Sequence, residues 1–98
     1  MYQMDQLLNL LTAEKAKELQ FRAGRPPLIV LDDEQHPLQG PPITSDDSVW
    51  LLRNLATSRQ MRDLREHAAV QFVYTAVGRA PFVVCARMED EEVVFSVS

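Results

Sequence analysis

Few side chains in this sequence have types and spacing that could do chemistry. Asp63 and His67 stand four residues apart, a spacing that puts two side chains on one face of a helix. Together they offer two ligands to a divalent cation. A zinc site needs at least three from the protein, and no third is evident. His36 precedes a proline in a loop; both histidines read as ordinary surface or helix-terminal residues. Cys85 has Arg87 two residues on, sharing its strand face. A nearby guanidinium can lower a thiol pKa, but no histidine base is near, and a buried inert thiol is the expectation. Phosphate chemistry needs a glycine loop closing on Lys-Ser/Thr, or Gly-x-Gly-x-x-Gly; neither is present. Gly-x-Ser-x-Gly is absent too. The sequence therefore predicts no enzyme, no cofactor and no metal site.

The arginines suggest contact rather than catalysis. Arg22 and Arg25 flank a glycine turn, and Arg53, Arg59, Arg62 and Arg65 lie on a predicted pair of helices. Arg59, Arg62 and Arg65 are three apart and drift round one side of their helix. They could meet an acidic partner. Asp63 and Glu66 are interleaved with them, so a solvated helix face is the preferred reading. The acidic runs Asp32-Asp33-Glu34 and Glu89-Asp90-Glu91-Glu92 read as soluble turns that discourage edge pairing.

Composition bounds the function. Ninety-eight residues make one domain, 1–98, with little room for a second core. The hydrophobic fraction is 46% and the charged fraction 24%, as in ordinary globular domains. A net charge of −4 and a pI near 5.0 argue against nucleic acid as the partner, because phosphate binding usually needs a basic face. The single cysteine excludes an internal disulfide and suits a reducing compartment. No apolar run reaches the roughly 18 residues of a membrane span. No basic segment precedes an apolar one at the N-terminus. The expectation is a cytoplasmic chain without membrane insertion.

The elements follow from periodicity. Met4, Leu7, Leu8 and Leu11 have the spacing of one helical face, predicting a helix over about residues 3–15. Leu19–Ala23 and Leu28–Leu31 are short strands. Between them Gly24 supplies a backbone angle that other residues resist, and Pro26 and Pro27 hold the chain extended. Gln35–Leu38 is a third strand, and Gly40-Pro41-Pro42 a rigid linker. Thr44 caps a second helix, with Asp47 completing a weak capping box; Val49, Leu52, Leu55 and Ala56 form its buried face, with Trp50 and Leu51 beside it. Ser58 caps a third helix, where Met61, Leu64 and Ala68 face the core. Strands follow over 70–77, 81–88 and 92–98, with Val93, Phe95 and Val97 alternating against Val94 and Ser96. The predicted order is α-β-β-β-α-α-β-β-β. The fold class is α+β: a mostly antiparallel sheet of about six strands covered on one side by an N-terminal helix and a helical hairpin. Pro81 suggests an edge strand, through which a homo-oligomer could form.

One turn is more specific than the rest. Ala23-Gly24-Arg25-Pro26-Pro27, set after Ala16-Lys17-Glu18-Leu19-Gln20-Phe21 and before the Leu38 to Pro42 segment and Ile43-Thr44, resembles the N-terminal domain of PilT-type pilus retraction ATPases. These belong to the wider type IV pilus and type II secretion ATPase superfamily. The turn matches that family's Ala-Gly-x-Pro-Pro, the opening helix begins at Met4-Asp5 and Leu7-Leu8 as there, and Gln71-Phe72 stands where the family has Asp-Phe. The match covers nearly all of the chain in order. It implies a PAS-like domain that packs against a neighbouring subunit's motor in a hexamer. The departures are as informative. The family's RecA-like motor, with its Walker motifs, is absent. Its Arg-Phe-Arg strand, which approaches the nucleotide in the ring, reads Pro81-Phe82-Val83 here. Its Asp and His in Asp-Leu-His correspond to Glu18 and Gln20. The resemblance thus implies a scaffold without catalytic duty. The expected function is a protein-interaction module that docks on, or regulates, a pilus ATPase ring through Arg22, Arg25, Arg59, Arg62, Arg65, Pro81 and Phe82. The alternatives are a PAS-like small-molecule sensor, or the excised N-terminal domain of a longer ATPase; the start at Met1 favours a complete short protein.

Overall fold

A computed structural model of the chain describes residues 2–98. Helix α1 spans Met4–Ala13 and buries Met4, Leu7, Leu8 and Leu11, the stripe that its spacing predicts. Strands β1 (Glu18–Phe21), β2 (Leu28–Leu31) and β3 (Glu34–Pro37) form one antiparallel meander. Helices α2 (Ser45–Arg53) and α3 (Ser58–His67) follow, then a second meander of β4 (Ala69–Tyr74), β5 (Phe82–Glu89) and β6 (Glu92–Val97). The meanders join along β1 and β6, giving a six-stranded sheet in the order β3-β2-β1-β6-β5-β4, antiparallel throughout. The fold is the predicted α+β arrangement of three helices and an open antiparallel sheet.

Local chemistry sets the connections. The two acidic turns, Asp32-Asp33 and Asp90-Glu91, have positive φ at both residues, the geometry of two-residue hairpin loops that match strand twist. Gly24, at φ 93°, does more than reverse the chain. Its N–H donates to the Ile43 carbonyl at 2.8 Å, and the Ile43 N–H donates to the Arg25 carbonyl at 3.1 Å. The turn is thereby tied to the segment that feeds α2.

Helix α2 starts at the predicted capping box: the Asp47 N–H donates to Thr44 Oγ1, and the Thr44 N–H donates to Asp47, each at 3.0 Å. Its buried face is turned from the expected one. Ser48, Leu51 and Leu52 point inward, followed by Leu55, while Val49 and Ala56 are half-buried and Trp50 is 42% exposed. The Ser48 hydroxyl donates to the Val93 carbonyl at 2.7 Å and fixes this rotation against β6. Helix α3 is capped by Thr57, not Ser58, with Gln60 completing the box. Ala68 is not a core residue. It ends α3 in the left-handed conformation, φ 63°, and is exposed.

All three helices share one core with one face of the sheet. At its centre the cross-strand pair Phe21 and Phe95 stack with ring centroids 4.3 Å apart and planes at 8°. Leu8, Leu19, Leu52, Val84 and Val97 close around them, each with no exposed surface. Strand β5 lies inside the sheet, so Pro81 marks no edge; the edges are β3 and β4. Pro81 precedes β5, where its missing N–H costs no ladder bond.

Candidate functional site on the open face of the sheet

Successive strand residues point to opposite faces. In β5, Phe82, Val84 and Ala86 enter the core, while Val83, Cys85 and Arg87 point away. In β6, Val94 and Ser96 do the same, and in β1, Glu18 and Gln20. No helix packs on this second face among the described residues. It divides into two zones.

The first zone is apolar. Val73 and Val83 face each other across β4 and β5, 60% and 37% exposed. Gln71 and Cys85 form the neighbouring outward pair. Cys85 is exposed, contrary to the buried thiol expected. Its run, Phe82-Val83-Val84-Cys85-Ala86, is apolar on both faces, so its inward set could not be told from periodicity alone.

The second zone is charged. Arg22 grips Glu89 with both terminal nitrogens, at 2.8 and 3.1 Å, and Arg87 Nε donates to the same carboxylate at 2.9 Å. These hydrogen bonds, first that of Arg22 and then that of Arg87, lower the Glu89 pKa to about 2. Glu89 in turn holds the Arg22 pKa above its ordinary value. Arg25 lines a cavity of about 160 Å³ beside Arg22 and Arg87. It has no carboxylate partner among the described residues, and its Nε is buried without an acceptor.

The residues singled out in the sequence do not make one surface. Arg22 and Arg25 meet at the charged end of the open face. Arg59, Arg62 and Arg65 are exposed on α3, in the helical layer. Pro81 is exposed, but Phe82 is 7% exposed and belongs to the core, so its side chain offers a partner almost nothing. Val83 and Arg87 are the outward neighbours that complete the face; only the charge of Arg87 marked that side of β5 in the sequence. Asp63 and His67 do gain a third neighbour, Glu66, with ligand atoms of all three within 4.8 Å of one another. None of the three side chains is held by a hydrogen bond among the described residues, and Glu66 and His67 are exposed. Nothing there orients His67 as a metal ligand.

No family model matches the chain, and no curated protein matches its sequence. Solved structures do match its fold. The pilus retraction motor PilT with bound ADP superposes with a TM-score of 0.88 at 18% identity, over 99% of this chain and 29% of that one. The ATPase DotB of Legionella pneumophila gives 0.73 at 12% identity, over 96% of this chain and 26% of that one. DotB of Yersinia pseudotuberculosis gives 0.63 at 13%, over 96% and 28%. The chain has the fold of the N-terminal domain of these pilus and secretion ATPases and spans less than a third of their length. No helix among the described residues is long and apolar enough to cross a membrane.

Proposed function

We propose that the chain is a non-catalytic protein-interaction module that docks on a pilus or secretion motor and regulates it in the cytoplasm. The observation that carries the reading is the superposition of 99% of this chain on 29% of a retraction motor. These 98 residues contain no glycine loop for nucleotide phosphates, which supports a role in contact over one in nucleotide chemistry. The residues that replace the family's Arg-Phe-Arg strand agree: Pro81 and Val83 cannot offset phosphate charge.

The open face of the sheet is the docking surface. Val73 and Val83 supply apolar area to be desolvated, and Arg22 and Arg25 supply direction at the charged end. The helical face is spent on the core. A sensor that holds a small molecule between helices and sheet is disfavoured, since Phe21, Phe95 and their neighbours fill that space. A homo-oligomer through the β4 edge, which carries Val73, is the competing assembly.

Light scattering coupled to gel filtration tests this with a PilT-type ATPase from the same source. A stable co-complex is expected, weakened by Val83→Asp and by Arg22→Glu with Arg25→Glu. A chain that elutes alone at concentrations well above micromolar contradicts docking. ATP hydrolysis by the pure chain, lost on Arg25→Ala, contradicts the non-catalytic reading.

A further inference from the structure

We propose that the cavity beside Arg25 binds a single oxyanion, the carboxylate or phosphate group of a small ligand. Three guanidiniums converge there, from Arg22, Arg25 and Arg87. Glu89 satisfies two of them, taking both terminal nitrogens of Arg22 and the Nε of Arg87. Glu18 also lines the cavity, but its carboxylate accepts from Gln20 Nε2 at 3.4 Å and makes no ion pair with Arg25. Arg25 is the cation left over.

Its Nε is a buried donor with no acceptor. Such groups are rare in native proteins, and the residue that carries this one lines the cavity. The main chain that carries it is fixed in place. Arg25 is held by the Ile43 N–H on its carbonyl and by the Gly24 N–H on the Ile43 carbonyl, and Pro26-Pro27 follow at once. A guanidinium presents a fork of N–H donors that suits a carboxylate or phosphate edge. Ser96, also lining the cavity, brings a hydroxyl to the same space.

Size limits the ligand. The cavity of about 160 Å³ lies below the roughly 300–1,000 Å³ of sites that enclose drug-sized molecules. The space takes one oxyanion head. The site lies wholly within this chain, so its occupancy needs no motor.

The test is a titration of the ¹⁵N-labelled chain with inorganic phosphate and, separately, with succinate, read at the arginine Nε–H resonances. The Arg25 resonance should shift and saturate while those of Arg53 and Arg59 stay in place. Tighter binding of phosphate assigns a phosphate group, and of succinate a carboxylate. Arg25→Lys keeps the charge but loses the fork, and should weaken binding by about tenfold or more. Arg87→Ala, on an exposed strand position, should weaken it less. Shifts that grow linearly in all arginines alike overturn the proposal, as does an affinity untouched by both variants.

Discussion

The two faces of the sheet are built from the same strands and put to opposite uses. On the covered face, residues from five of the six strands and from all three helices share the core that holds the Phe21–Phe95 stack. On the other face, the same strands offer Val73 and Val83 to solvent, Arg22 and Arg87 close on the Glu89 carboxylate, and Arg25 stands beside them without a carboxylate of its own. One face is closed by side chains already in the chain. The other has exposed apolar area and an unsatisfied donor, both of which a partner or ligand would cover. The difference ties stability to the first face and leaves the second as the surface proposed for contact, and substitutions can separate the two.

The largest effect should come from the covered face. Phe95→Ala removes half of the central stack and should cost about 3–5 kcal/mol of stability, measured by urea unfolding. A loss near that of an exposed site would mean that the core is not centred there. Ser48→Ala should cost about 1–3 kcal/mol, because the buried Val93 carbonyl loses its hydroxyl donor. A neutral result in the same unfolding series would show that α2 is not locked to β6 by this bond.

On the open face the effects should be conditional or small. Arg22 and Arg87 lower the Glu89 pKa from 4.5 to about 2. A depressed carboxylate pKa stabilises the fold above the unfolded value and ceases to as pH falls toward the folded one. Glu89→Gln should therefore melt below the parent protein at neutral pH, and the gap should close as pH falls from 4.5 to about 2. A gap that is constant with pH would mean that the charge of Glu89 is irrelevant. Val83→Ser should change stability by no more than about 0.5 kcal/mol, as surface substitutions usually do. A larger loss would show that the face is not open.

Much of the covered face was legible in the sequence. The stripe of α1 behaves as its period predicts, and Val93, Phe95 and Val97 of β6 enter the core as expected, although Val94 on the other face is buried as well. Where apolar residues occur on both faces, as in β5, the period is lost, and Cys85 and Phe82 were placed the wrong way round. The cap of α3 was readable: Thr57 with Gln60 three residues on is a capping-box pattern that Ser58 lacks. The rotation of α2 was not readable, because it depends on a polar contact between Ser48 and Val93, distant in sequence. The charged zone was half visible. Arg22 and Arg25 stood out beside the turn, but the pairing of Arg22 with Glu89 spans 67 residues. The lacing of the turn to Ile43 is likewise a product of the fold, and no local pattern encodes it.

Docking through the open face can be read at a single atom. Cys85 lies on that face and is exposed, so its alkylation rate reports directly on coverage. We would measure that rate for the chain alone and with a saturating amount of a PilT-type ATPase ring from the same source. The account predicts ready alkylation of the free chain and strong protection in the complex. An unchanged rate in a mixture that does form a complex would place the contact on the helical side and contradict the account.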